Sequence, residues 1–396
     1  MNSNTVNRRE FLQLGTAGFL LFAAGAATAV GDQAGGDVAA GVSSLGDIGP
    51  LQPADNNGVM LPPGFRSRVV ARSGEKPVPG SDYTWHAAPD GGAAFAADDG
   101  GWVYVSNAEL RNGQGGVGAL RFSPAGELTD AYPILQGTSI NCAGGRTPWQ
   151  TWLSCEEFDL GQVYECDPFG KRVAEVRPAL GRFKHEAVAV DPVNQVLYLT
   201  EDKPDGALYR FRPHRPLPYL ESGTLEVARM HAGGGRPFLS WATLPDPLAE
   251  TAPTRYQVPD YAPFRGGEGL VYQAGKVYFS TKHDNRVWCY HVANNEITVL
   301  YDIAISTNPI LSGVDNLAIT PSGEVLVAED GGDMQIVVLT PDERVIPLVQ
   351  IPGHQRSEIT GPAFDPAYRR LYFSSQRGST GHSSDGVTYE ISLAES

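Results

Sequence analysis

The chain has 396 residues, a formal net charge of −15, 41% hydrophobic residues, 46 glycines, 30 prolines and four cysteines. That hydrophobic content suffices for a packed core. The acidic balance and the lack of any basic run exclude nucleic acid and anionic membrane surfaces as partners. Four cysteines in so long a chain do not form a disulfide scaffold; by sequence separation, Cys155 and Cys166 are the best placed pair.

At the N-terminus, Asn7-Arg8-Arg9-Glu10-Phe11-Leu12 sets an arginine pair before a short apolar stretch, Leu14–Ala24, and an Ala27-Thr28-Ala29 cleavage pattern. This predicts a twin-arginine signal over residues 1–29. The chain would then meet the twin-arginine export machinery and end in the periplasm or outside the cell. The apolar run is too short to span a bilayer, and no later run is long enough, so no membrane span is expected in the mature form. Residues 30–55, small and Gly-rich at first, are expected as a flexible segment. Residues 56–396 are expected to form one domain.

Past residue 90 one pattern recurs: strand, tight turn, strand, acidic loop, strand. It reads His185–Asp191, Val196–Asp202 and Ala207–Phe211 in one unit. The pattern returns from Glu268, from Asp315 and from Gly361, and less regularly from Ala93 and from Asn141. A unit of about 40–50 residues is the size of a four-stranded propeller blade. Period-two alternation without helical periodicity makes the chain all-β. The expectation is a six-bladed β-propeller, with a loop-rich insertion at about 212–263 and an N-terminal strand near Phe65–Val70 joining the last blade.

A hairpin returns its end beside its beginning. Glu186 should therefore share one blade end with Glu201 and Asp202. The same reasoning groups Cys142 with Glu156 and Glu157, Glu268 with Asp284, and Asp315 with Glu329 and Asp330. Blades of one orientation would gather these carboxylates at one mouth of the channel. Like charges crowded there must be protonated or neutralised by cations. Oxygen-rich groups suit calcium, and a thiolate among them suits iron or zinc. His86, His185 and His283 lie near strand ends as supporting or surface residues rather than ligands. No G-x-S-x-G elbow, P-loop or paired C-x-x-C is present.

Asn141-Cys142-Ala143-Gly144-Gly145-Arg146-Thr147-Pro148-Trp149 and Thr151–Glu157, extended by Gly181–Glu186 and Thr200-Glu201-Asp202, resemble the PhoX-type alkaline phosphatases. The resemblance implies a six-bladed propeller that holds iron and calcium and hydrolyses small phosphate esters. It implies iron on Cys142, Glu157, Glu186 and Glu268. Calcium would lie on Glu156, Glu201, Asp315, Glu329 and Asp330. Arg265, with Arg146, would orient phosphate. The alternatives are a calcium-dependent lactonase or esterase and a non-catalytic calcium-stabilised binding propeller. A monomer is expected.

Overall fold

The computed structural model describes residues 44–394. The twin-arginine segment 1–29 and residues 30–43 lie outside the described residues. Twenty-five strands and five short 3-10 turns make up the regular structure of the described residues. The fold is all-β and propeller-like, and no described helix is long and apolar enough to cross a membrane.

Four of the sheets are four-stranded. The strand Phe65–Arg72 pairs with the last strand, Val387–Leu393, and so ties the start of the domain to its end. The remaining strands run together as one nine-stranded sheet. It contains two meanders, one starting at His185–Asp191 and one at Gly267–Gln273. The strand Phe238–Thr243 links them, its backbone pairing with the second meander at Phe238↔Glu296 alone. The stretch 212–263 is therefore not only loop. It supplies Gly223–His231, which pairs with Leu208–Pro213, and the linking strand itself. The expected flexible segment is also anchored at its end. Leu45 is buried, and its amide and the Ser44 hydroxyl both donate to Glu324.

Each meander begins with an inner strand: Pro89–Ala96, Asn141–Arg146, His185–Asp191, Gly267–Gln273, Val314–Ile319 and Ile359–Phe364. Each inner strand packs on the next and the last packs on the first, around one axis. Apolar side chains fill the wedges between sheets, for example Leu326 and Val338 against Leu371 and Phe373. Burial of this kind stabilises by about 25 cal/mol per Å² of apolar surface removed from water.

All six inner strands carry the same irregularity. Asn141 pairs with Glu156 and Gly144 with Ser154, so three steps on one strand face two on its partner. The other five repeat this shift after Pro89, His185, Gly267, Val314 and Thr360. One extra residue per strand makes a β-bulge, which re-aims side chains and frees carbonyls. Neighbouring meanders satisfy several of those carbonyls. Asn107 donates to the Cys142 and Ala143 oxygens, Thr200 to Glu268, and Ser280 to Asp315.

Candidate metal centre

The second residue of the first five inner strands sits at the bulge, and that of the sixth lies just before it. Going round the axis these are Asp90, Cys142, Glu186, Glu268, Asp315 and Thr360. A further set follows the second strand of each hairpin: Glu109, Glu157, Asp202, Lys282, Asp330 and Gln376. Glu358 and Lys184 each precede an inner strand and join them.

Four groups have ligand atoms within 4.8 Å of one another: Cys142–Glu157–Glu186, Asp90–Glu109–Glu358, Glu186–Glu268–Asp315 and Asp315–Asp330–Glu358. The Cys142 thiol donates to Glu186 at 3.4 Å and to Asp90 at 3.6 Å. Burial, reinforced by the neighbouring carboxylates, pushes the Asp90, Glu186 and Glu358 carboxyls and the Cys142 thiol well above their usual ranges. For Glu268 burial raises the carboxyl while Lys282 opposes it. Burial lifts Glu157 to about 8 against the opposing pull of Lys184, and Asp315 to about 6 against that of Lys282.

Three basic side chains answer part of this charge. Lys184 Nζ lies 2.8 Å from Glu157 and also contacts Asp202. Lys282 Nζ lies 3.1 Å from Glu268 and 3.2 Å from both Asp315 and Asp330. Arg377 reaches Glu358 at 2.7 Å and Asp330 at 3.6 Å. Glu186 is left out. Its side chain is fully buried, and Oε2 has no hydrogen-bond partner among the described residues. An orphaned carboxylate oxygen beside a thiol and two further acids fits a cation, because isolated buried charge is otherwise costly. One sulfur with several oxygens suits a transition metal; the all-oxygen Asp90–Glu109–Glu358 group suits calcium.

Of the residues expected at the site, Cys142, Glu157, Glu186, Glu268, Asp315 and Asp330 meet there. Glu156, Glu201 and Glu329 do not. Side chains alternate across a strand, so in each adjacent acidic pair only the second residue faces the axis. The first turns back to cap a loop. Glu156 accepts from the Ser139 and Gln162 amides, and Glu329 from Ser312 and Gln335. Glu201 is held by Ala207, Tyr209 and Arg255. Asp284 also stays outside, accepting from Thr281 and pairing with Arg286. Arg146 lies at the far end of Asn141–Arg146, about 16 Å from its start at 3.3 Å per residue. There it stacks over Phe95 and lines a cavity of 280 Å³ with Tyr368, so it cannot join Cys142. Arg265 is exposed on the loop leading into Gly267–Gln273, at the same end as Glu268, with no carboxylate partner among the described residues.

Cys155 and Cys166 are free and buried. Trp152 pairs with Cys166 and Cys155 with Val163. Three positions of offset put the two thiols on opposite faces, in separate clusters, so they do not bridge. His185 is buried and stacks on Phe183, with Nε2 at the Gly181 oxygen; it supports the strand that presents Glu186.

Asp90, Glu109, Lys184, Lys282, Glu358 and Arg377 are site residues that sequence reasoning does not single out, whereas Asp202, expected at the same blade end as Glu186, meets Lys184 there. The signal for them is the hairpin offset: counting back from each second strand reaches Asp90 immediately before Gly91-Gly92, and counting forward reaches Glu109 and Lys282.

An all-β propeller-like fold with a thiol-and-carboxylate mouth defines a class of candidate metalloenzymes. The profile described as Alkaline phosphatase PhoX matches residues 120–161 and 158–300, so over this stretch the chain is similar to the PhoX-type alkaline phosphatase family. Among solved structures, Pseudomonas fluorescens PhoX in complex with vanadate, a transition state analogue, is similar at TM-score 0.71 and 17% identity, covering 88% of this chain and 97% of that one. A gluconolactonase of Xanthomonas campestris aligns at TM-score 0.47 and 14% identity over 88% of this chain and 98% of its own. A Bacteroides thetaiotaomicron protein of unknown function aligns at 0.50 and 11% identity, over 83% and 76%. No curated protein sequence matches.

Proposed function

We propose that the chain is a six-bladed propeller phosphatase whose metal centre lies at the acidic mouth and hydrolyses small phosphate monoesters. The nine-stranded sheet counts as two blades, a reading supported by six inner strands, six matching bulges and a link of one residue pair. The observation that carries the function is the Cys142–Glu157–Glu186 group with its orphaned Glu186 oxygen, in a chain similar to this family. Iron would be held by Cys142, Glu157 and Glu186 with Glu268 beside them, and calcium by Asp90, Glu109 and Glu358. When bound, such metals neutralise phosphoryl charge and activate an oxygen nucleophile near neutral pH. The chain's own residues do the rest. Carboxylates fixed at bulges keep the site rigid, Lys184 holds Glu157 in place, and Arg265 orients the phosphoryl oxygens through its planar pair of donors. The N-terminal segment sends the protein through the twin-arginine route to the periplasm or beyond, with its folded site formed before export.

The test is elemental analysis of protein from the exported fraction, with Cys142→Ser alongside and p-nitrophenyl phosphate turnover measured in parallel. Near-stoichiometric iron in the parent, lost with turnover in the variant, is the expected result. Iron missing from both would sink the reading.

A further inference from the structure

Resting on the metal-centre reading above, we infer that Lys282 is a tethered cation that occupies the Glu268–Asp315–Asp330 part of the mouth in place of a metal ion. Four of the six positions after the second strands are acids, namely Glu109, Glu157, Asp202 and Asp330. A fifth is Gln376. The remaining one is Lys282, so one blade offers a positive charge where its neighbours offer ligands.

The geometry is that of a filled site. Nζ lies 3.1–3.2 Å from three carboxylates contributed by three different chain positions. An ammonium has three donors and no acceptor, so three carboxyl oxygens are as many as it can answer. Two of those carboxylates, Glu268 and Asp315, are buried, and hydrated competitors for them are few. Two of the four candidate groups share Asp315. Lys282 contacts two members of each, Glu268 and Asp315 in one and Asp315 and Asp330 in the other. A divalent ion needs its oxygens at about 2.3–2.6 Å and cannot share that space with the ammonium. Metal is thereby confined to the Cys142–Glu157–Glu186 and Asp90–Glu109–Glu358 groups, which Lys282 does not touch. Charge pairing agrees with this division: Glu186 Oε2 has no hydrogen-bond or ion-pair partner among the described residues, whereas each acid around Lys282 lies 3.1–3.2 Å from Nζ, Glu268 Oε1 through that ion pair and no hydrogen bond.

The experiment counts cations rather than turnover. Full-length exported protein, Lys282→Met and Lys282→Arg are stripped with chelator, reloaded with calcium alone, desalted and measured by elemental analysis and thermal melting. Lys282→Met should hold one more calcium per chain than the parent and show a larger calcium-dependent rise in its melting midpoint. Lys282→Arg should match the parent. A folded Lys282→Met with the parent's calcium count would overturn the inference, as would failure of that variant to fold even in millimolar calcium. Anomalous diffraction from the parent tests the same point without any variant: Nζ density between Glu268, Asp315 and Asp330 supports the inference, and a metal peak there removes it. The phosphatase reading fails separately, on iron and turnover in the parent, so one can fall without the other.

Discussion

The two sides of the mouth solve one electrostatic problem differently. Around Lys282, three carboxylates meet a built-in ammonium at 3.1–3.2 Å. Around Cys142, a thiol and acids crowd together, and the buried Glu186 keeps an oxygen with no partner. Paired charge is stable as it stands, while unpaired buried charge must be neutralised from outside or hold its protons. The lesson is that acidic residue count alone does not locate a metal; the unanswered charge does.

The contrast breaks most severely if the Cys142 side can be disabled without loss. Cys142→Ser should lower kcat/KM for p-nitrophenyl phosphate by more than about hundredfold, since even outer partners of a metal ligand typically contribute 10–100-fold. A variant within about threefold of the parent would put the chemistry elsewhere. Next in size is the test of facing. Glu157→Gln should cost at least about tenfold in activity and lose metal. Glu156→Gln, one residue away but turned into the Ser139 and Gln162 amides, should keep the metal and lose only stability, read by melting. Equal effects at the two positions would refute the assignment of faces.

That pair also marks where the sequence is legible and where it is not. The strand pattern and the equivalence of Cys142, Glu186, Glu268 and Asp315 can be read directly, because each falls at the same offset in a repeating unit. Which of Glu156 and Glu157 faces the axis cannot, because a slip of one residue exchanges the two faces of a strand. The bulges add such a slip at every inner strand, and nothing in an isolated blade announces them. The sequence pattern starts the first and last inner strands at Ala93 and Gly361, which leaves out Asp90 and Glu358. Pro89-Asp90-Gly91-Gly92 looks like a turn, yet its glycines serve close packing: a Cβ on Gly91 would fall 2.5 Å from the Ala143 Cα. Lys282 is invisible to a search for ligands, since only the fold shows that a base stands in an acid's place.

The same close packing gives a smaller prediction. A Cβ on Gly269 would lie 2.5 Å from the Leu317 amide nitrogen and 2.7 Å from the Asp315 oxygen. Gly269→Ala should therefore destabilise by about 1–3 kcal/mol, the usual cost of overpacking. It moves the strand carrying Asp315 and leaves Cys142 in place, so calcium-free stability should fall while iron content is retained. Loss of iron in a folded Gly269→Ala would show that the two sides are not independent.

The gentlest test is the pH dependence of the chelator-treated protein. Glu157, at about 8 in the fold against an ordinary 4.5, takes up protons on folding, so the stability it contributes is complete below pH 4.5 and disappears as pH rises towards 8. Asp315, at about 6 against 3.8, acts in the narrower window from 3.8 to 6 because Lys282 opposes its burial. The melting midpoint of metal-free protein should thus fall through both windows, with Glu157 still contributing above pH 6 and Asp315 no longer doing so. Glu157→Gln should flatten the fall between pH 6 and 8, and Asp315→Asn should leave that part intact. His86 provides the control of opposite sign. Burial lowers it from 6.5 to about 3, so its contribution is present above pH 6.5 and lost as pH falls towards 3. His86→Gln should flatten the acid branch alone. An alkaline fall that survives Glu157→Gln unchanged would mean that burial does not hold Glu157 protonated in the fold.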